Sequence, residues 1–412
     1  MNHTPVCPTD AINSLPLNSL AVLCTAPVNI AVVKYWGKRD IKLILPVNSS
    51  LSGTLDSNTM ASTTCIISSS TYTKDEIVLN GHHEQWSDRL LAVLNGLKKL
   101  ITKPATDESG NIILTIDELR TNHIHIISSN NFPTAAGLAS SASGFACLSY
   151  AIAQLYNIQD SFPGELSTYA RQGSGSACRS LYSGWVSWEK GMNFDGTDSI
   201  AVQIADHHHW PDMRVLILVA NNKRKETAST DGMQRTVQTS QLLKYRAEHI
   251  VPKRMNDMIH SIKMRNFHVF AELTIKDSNS FHATCLDTYP PIFYLNHTSQ
   301  QIIRIIDIFN SQYSTLQAAY TYDAGPNAVV YYLDKHTNTL MTIFQQYFGT
   351  STPLHDPLKL QQSSQSTIDH NIVNAVINKL QQRDDTISIS QIILTQIGDG
   401  PQLIKRTNTI NK

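Results

Sequence analysis

Residues 130–144 read Asn-Asn-Phe-Pro-Thr-Ala-Ala-Gly-Leu-Ala-Ser-Ser-Ala-Ser-Gly. From Thr134 onward nearly every side chain is small, a strand-like run at 123–128 leads in, and Phe145, Leu148, Ile152 and Leu155 follow at helical spacing. A strand, a bare-backbone loop and a helix N-terminus aim loop N–H groups and a helix dipole at one point, which suits an anion and above all a phosphate. No Walker A lysine follows the glycines, and Gly137 and Gly144 do not keep the G-x-G-x-x-G spacing. Ser140 and Ser141 remain as hydroxyls able to bond phosphate oxygens or a magnesium ion. The same small residues would equally serve a tight helix–sheet contact.

Three other segments carry chemistry. Lys34-Tyr35-Trp36-Gly37-Lys38-Arg39-Asp40 gathers cations suited to a polyanion such as a diphosphate, or else forms a solvated turn with its aromatics packed on the core. Gly173-Ser174-Gly175-Ser176-Ala177-Cys178-Arg179-Ser180 reads as a second loop of glycines and hydroxyls, or a plain flexible linker. Its Arg179 can grip a carboxylate through two parallel hydrogen bonds. Asp323 stands between a strand and the turn Ala324-Gly325-Pro326. It is either a turn former or a carboxylate that orients or deprotonates a hydroxyl attacking ATP. His207-His208-His209 reads as a surface tract, since consecutive histidines cannot all face one metal. Cys178 has no partner histidine visible in the sequence and is not expected to be a nucleophile.

The elements that must position these groups fill 412 residues, enough for two or three domains. Lys+Arg and Asp+Glu number 33 each, a balance that argues against a general nucleic-acid binder. No run is long and apolar enough to enter a membrane, and no basic region precedes an apolar N-terminal stretch. Six cysteines without a C-x-x-C pair read as free thiols in a reducing compartment, so a cytoplasmic protein is expected. Residues 1–20 read as a loose arm, 21–210 as an N-terminal α+β domain and 211–412 as a C-terminal α+β domain, with Pro211 as punctuation. Strands are expected at 49–55, 61–68, 112–116, 184–189, 214–220, 318–322, 328–333 and 388–396, and helices at 88–100, 299–312 and 367–382. Residues 171–179 are expected to be a turn-rich loop, and 361–367 an exposed low-complexity loop.

Taken together, these strings resemble the mevalonate diphosphate decarboxylases of the GHMP kinase superfamily. The resemblance rests on Ala26-Pro27-Val28-Asn29-Ile30-Ala31 continuing through 34–40, on Asn48-Ser49-Ser50, and on the 130–144 and 173–180 segments. Asp277-Ser278-Asn279-Ser280-Phe281-His282-Ala283-Thr284-Cys285 and 323–328 complete it, in order from about residue 22 to about residue 400. It implies an α+β, two-domain GHMP-kinase-type fold with a deep cleft between the domains, a left-handed crossover in the first and a ferredoxin-like second. It also implies ATP-dependent decarboxylation of mevalonate 5-diphosphate to isopentenyl diphosphate, carbon dioxide, ADP and phosphate through phosphorylation of the C3 hydroxyl. ATP and Mg2+ are the implied cofactors, and a homodimer the implied assembly.

By the same resemblance Asp323 contacts the C3 hydroxyl as base or orienter, and Arg179 holds the substrate carboxylate. Tyr35, Lys38, Ser174 and Ser176, with Arg89, grip the diphosphate. Lys34 and Ser141 position the transferred phosphoryl group. Ser140 and the loop residues Pro133, Ala135, Ala136, Gly137, Leu138 and Ala139 cradle the ATP phosphates, with Ser141 toward the metal. Thr230, in Ser229-Thr230-Asp231-Gly232-Met233, joins the substrate contacts. Two departures stand out. Gly53 occupies a strand position that is usually β-branched, at an expected cost of about half to one kcal/mol. Ser143 replaces the usual alanine of the loop helix. A superfamily kinase that stops at phosphorylation, a decarboxylase of the monophosphate and a catalytically silent binding protein are the competing readings. Lys38, Arg179, Ser174 and Ser176 favour the diphosphate, and Asp323 argues against a silent protein.

Overall fold

The structure, a computed structural model, describes residues 7–106, 109–132, 140–220, 226–380 and 386–410. The run Ser19–Pro27 is almost wholly buried and alternates small with branched side chains, so it serves as an interior strand. It pairs antiparallel with Ala61–Ser69 on one side and with Gln402–Asn408 on the other. The sheet continues through His123–Asn130 and Glu76–Leu79 to the short edge His82–His83. The helix Ser140–Leu155 lies on this sheet through Ala146, Cys147, Leu148, Ala151 and Ile152, whose small members let helix and sheet approach closely.

A second sheet, antiparallel throughout, runs Ala201–Ala205, Trp185–Trp188, Ser50–Thr54, Asn29–Val33. Its last three strands are fully buried because the sheet has protein on both faces. Val28, Ile30, Val33, Leu51 and Trp185 share one apolar core with Val215, Ile217, Phe270 and Tyr331 from the C-terminal half. That shared core locks the two halves together.

The C-terminal half follows a strand–helix–strand–strand–helix–strand course. Its antiparallel sheet has the order Ala318–Tyr322, Ala328–Leu333, Met213–Val219, Gln391–Gln396, with Leu354–His355 added in parallel at the edge. The first and last of the four long strands in sequence are thus neighbours, with the first and third at the centre, an order of ferredoxin-like type. Helices Val251–Lys263, Phe267–Leu286 and His297–Asn310 occupy the long first connection.

Three expectations change. The stretch before residue 21 is no loose arm where it is described, because Ala11 and Ile12 are buried against Ala21, Cys65 and Ile67. The chain does not finish in the C-terminal half, since Gln402–Asn408 returns to the N-terminal sheet. The His207-His208-His209 tract lies at the surface with none of its residues buried, and His207 holds that returning segment, 3.0 Å from Asp399 and 2.9 Å from the Ser183 hydroxyl. The 171–179 stretch is not a loop: helix Glu165–Gly173 is followed directly by a tight helical segment, Gly175–Leu181, with Gly175, Ala177, Cys178, Arg179 and Ser180 buried. A composition of glycine and serine reads as flexible in sequence, yet here it is what permits close packing.

Both departures from the family pattern acquire reasons. Ser143 sits in a buried hydroxyl chain, 2.7 Å from the Ser62 hydroxyl, which in turn donates to Asn130 Oδ1 at 2.6 Å. A Cβ at Gly53 would lie 2.7 Å from Ile397 Cδ1 and 3.2 Å from the Trp185 ring. The space that a β-branched residue would fill is already occupied. Gly53→Val is therefore expected to destabilise by about 1–3 kcal/mol through overpacking. A fall in the thermal unfolding midpoint supports this account, whereas a rise would mean that glycine merely weakens the strand.

Candidate active site

A cavity of about 620 Å³ opens where the two halves meet. Every site residue chosen from sequence that falls among the described residues lines it: Lys34, Tyr35, Lys38, Arg89, Ser140, Ser141, Ser174, Ser176, Arg179, Thr230 and Asp323. Pro133, Ala135, Ala136, Gly137, Leu138 and Ala139 lie outside the described residues. Among the described residues, four cations, Lys34, Lys38, Arg89 and Arg179, line the cavity with a single carboxylate, Asp323. Such an imbalance in a partly enclosed space is a receptacle for a multiply charged anion.

Lys34 is the first residue beyond strand Asn29–Val33, and Asp323 the first beyond strand Ala318–Tyr322. Lys34 Nζ donates to Asp323 Oδ1 at 2.7 Å, an ion pair formed across the two halves. Burial pushes the Lys34 pKa down, and the charge and hydrogen bond of Asp323 work against that. Removing Asp323 would leave a buried ammonium without a partner.

Arg179 is also buried, and its orientation is fixed by neighbours. Its Nε donates to Ser52 Oγ at 2.9 Å and Asn29 Oδ1 at 3.3 Å, its Nη1 donates to Ser50 Oγ, and its guanidinium stands 5.9 Å from the Trp188 ring centre. Burial lowers its pKa, and among the described residues no carboxylate forms a salt bridge with it. Its charge is thus unneutralised at the cavity wall.

Tyr35 packs edge-on to Trp188 at 4.7 Å, and its buried hydroxyl has no hydrogen-bond partner among the described residues. Burial raises its pKa. A Cβ on Gly175 would fall 2.8 Å from the Tyr35 ring, so only glycine allows Ser174 and Ser176 to flank this phenol. An orphaned buried hydroxyl beside free cations is a donor awaiting an acceptor. Lys38 supplies the neighbouring charge. Burial, and then the proximity of Arg89, bring its pKa down to about 8. Arg89 projects from the first turn of helix Asp88–Lys99 and donates to Thr230 Oγ1 at 3.2 Å, linking the two halves at the cavity mouth. Ser141, in the first turn of helix Ser140–Leu155, lies 3.2 Å hydroxyl to hydroxyl from Ser174. The helix terminus and the serine wall therefore converge.

Asn29 has a role that its place in the resemblance did not assign. Its amide donates to Ser176 O at 2.9 Å and to Ser180 Oγ at 2.7 Å, while its oxygen accepts from Arg179. A polar residue inside the otherwise apolar run Val28-Asn29-Ile30-Ala31-Val32-Val33 was the available signal.

Two family models match the chain. One, described as a diphosphomevalonate decarboxylase-like N-terminal domain, covers residues 26–201, and the other, a mevalonate 5-diphosphate decarboxylase C-terminal domain, covers residues 215–404. The diphosphomevalonate decarboxylase of Danio rerio is 46% identical over 94% of both chains. An X-ray structure of a mevalonate 5-diphosphate decarboxylase superposes with a TM-score of 0.80 at 43% identity, covering 94% of this chain and 97% of that one. A structure described as MDDEF in complex with MVAPP, AMPPCP and magnesium has a TM-score of 0.72 at 28% identity, covering 94% and 99%.

The Lys38 pKa predicts a pH dependence for anion binding. Lys38 is a cation below about pH 8 and neutral above it, so inorganic pyrophosphate should bind progressively more weakly as pH rises through 8. A bound anion favours the charged form and moves the midpoint upward. Calorimetric titration between pH 7 and 9 tests this, and Lys38→Arg should flatten the dependence. An unchanged profile in that variant would assign the titration to another group.

Proposed function

We propose how this site works from the premise that the chain belongs to the mevalonate diphosphate decarboxylase family. The protein is an ATP-dependent carboxy-lyase that converts mevalonate 5-diphosphate to isopentenyl diphosphate, carbon dioxide, ADP and phosphate in the mevalonate pathway. The observation that carries our residue assignment is the 2.7 Å Lys34–Asp323 pair, set in one cavity with Arg179 and with the Tyr35, Lys38, Ser174 and Ser176 wall.

Tyr35, Lys38, Arg89, Ser174 and Ser176 hold the substrate diphosphate. The unpartnered Tyr35 hydroxyl and the unneutralised Lys38 fit that anion chemically. Arg179, pinned through Nε and Nη1, turns its remaining donors to the substrate carboxylate and sets the angle at which that group leaves. Thr230 closes the mouth with Arg89. Asp323 then faces the C3 hydroxyl, orienting it and accepting its proton as it attacks the terminal phosphoryl group of ATP. Lys34 and Ser141 stabilise the charge on that phosphoryl group, while Ser140, Pro133 and residues 135–139 hold the nucleotide phosphates. Magnesium, for which Ser141 is the hydroxyl ligand in this reading, supplies charge neutralisation on the phosphates.

Phosphorylation matters because a tertiary hydroxide is a poor leaving group. Once esterified, phosphate departs with its bonding electrons and positive charge grows at C3. The carbon–carboxylate bond supplies the electrons of the new double bond as carbon dioxide leaves. Arg179 and the Tyr35–Lys38–serine wall fix the two anionic ends of the substrate, so the carboxylate stays aligned with the breaking C3–O bond.

We also place the enzyme in the cytoplasm, on the strength of six free cysteines of which five are buried. Among the described residues no helix is long and apolar enough to cross a membrane. A homodimer completes the reading, supported by the exposed, aromatic Tyr245, Tyr289 and Phe293. Sedimentation at micromolar concentration should give twice the mass of one chain.

The deciding experiment is an ADP-release assay on the 5-diphosphate and the 5-monophosphate, with carbon dioxide measured in parallel. Equal yields of ADP and carbon dioxide from the diphosphate are expected; ADP without carbon dioxide would make the protein a kinase. Asp323→Ala should lower turnover by roughly 10³-fold or more while ATP still binds. Arg179→Ala should lower the decarboxylation rate by roughly 10²-fold, and a small effect would count against the carboxylate clamp.

A further inference from the structure

Lys34 and Asp323 both stand one residue past the end of a strand. At those positions the sheet ladders no longer hold the backbone, although a 2.7 Å contact demands a defined one. The missing bonds come from one helix, Phe267–Leu286, which packs between the two strands. Asp277 Oδ1 accepts the Lys34 backbone N–H at 2.8 Å. The next residue, Ser278, accepts the Tyr322 backbone N–H at 3.1 Å, immediately before Asp323. Asn279 then accepts from the Tyr320 hydroxyl at 3.2 Å. Asp277 and Ser278 are fully buried and do not line the cavity.

From this arrangement we propose that Asp277 and Ser278 are positioning residues, which set Lys34 and Asp323 against each other for phosphoryl transfer without touching substrate. The inference rests on the reading of the Lys34–Asp323 pair given above.

Asp277 is itself held rigidly. Arg246 binds it through both nitrogens, Nη1 to Oδ2 at 2.9 Å and Nη2 to Oδ1 at 2.8 Å, and Arg254 adds a third bond at 2.9 Å. Burial works to raise the Asp277 pKa, but these two cations hold it below the ordinary value, so the carboxylate stays charged. Arg246 also donates to the Lys34 carbonyl at 3.3 Å, as Asn48 does at 3.1 Å. Both peptide groups of Lys34 are thereby fixed, its N–H by the helix and its carbonyl by Arg246 and Asn48. A fully apolar helix face would have packed as well. Two consecutive buried polar side chains, Asp277 and Ser278, each spent on a backbone N–H at a strand end, are a costly choice unless position is what they supply.

The test is Ser278→Ala, which removes one acceptor and no charge. We expect kcat to fall by about 10-fold or more while KM for the diphosphate stays within about two-fold, because the Tyr35–Lys38–serine wall is untouched. In an Asp323→Asn background the same substitution should cost less than about two-fold, since its effect passes through Asp323. Wild-type kcat in Ser278→Ala, or equal losses in both backgrounds, would overturn the proposal and leave Ser278 a packing residue. Ser278→Cys, nearly isosteric with a weaker acceptor, supplies the same readout should the alanine variant not fold. Near-normal turnover in Asp323→Ala would instead sink the underlying reading, so the two failures are distinguishable.

Discussion

The architecture turns on a buried ion pair that neither half of the chain can make alone. Lys34 comes from the N-terminal sheet and Asp323 from the C-terminal one, and they meet at 2.7 Å. A buried ammonium is tolerable only with its partner in place, so the pair requires the halves to sit at one fixed separation. The apolar core shared by Ile30, Leu51, Trp185, Ile217, Phe270 and Tyr331 supplies that fixity. Tyr331 reinforces it by donating its hydroxyl to Ile30 O at 3.1 Å across the seam. Tight packing explains why Gly53, directly over this seam, has no room for a side chain.

Around the pair, the site is organised by what has been left unsatisfied. Among the described residues, the buried or nearly buried Arg179 and Lys38 have no carboxylate partner, and the Tyr35 hydroxyl has no partner at all. A protein selected for stability alone would neutralise such groups or expose them. Their neighbours instead hold them still: Trp188 under Tyr35 and Arg179, Asn29 between Arg179 and the serine segment, Gly175 making room for the phenol. The substrate's carboxylate and diphosphate are the natural complements of these groups, and binding recovers what folding gave up.

Much of this was legible in the residues. The strands at 318–322 and 328–333 were readable to the residue, because each is a short β-branched and aromatic run bounded by turn formers. The residues with chemistry were readable too, since Lys34, Lys38, Arg179 and Asp323 sit in strings dense with charge, glycine or hydroxyl. Less legible was the 173–180 segment, where glycine and serine signal flexibility locally but pack as a tight helical turn once Tyr35 and Phe145 press against them. Gly53 was misread for the same reason, because its cost is local and its justification lies in Ile397, far along the chain.

Local chemistry determined which residues could act: a phosphate-type loop, a cluster of cations, an arginine and an acid, each recognisable from its own neighbours in sequence. Tertiary structure alone decided that they act together. The Lys34–Asp323 contact spans 289 residues, the Asp277–Lys34 bond 243, and the closing strand returns across nearly the whole chain to pair with the first. Pairings so distant leave no periodicity or spacing for sequence to display. They follow from which buried surfaces can be covered at once, and that is settled only when the complete chain has folded.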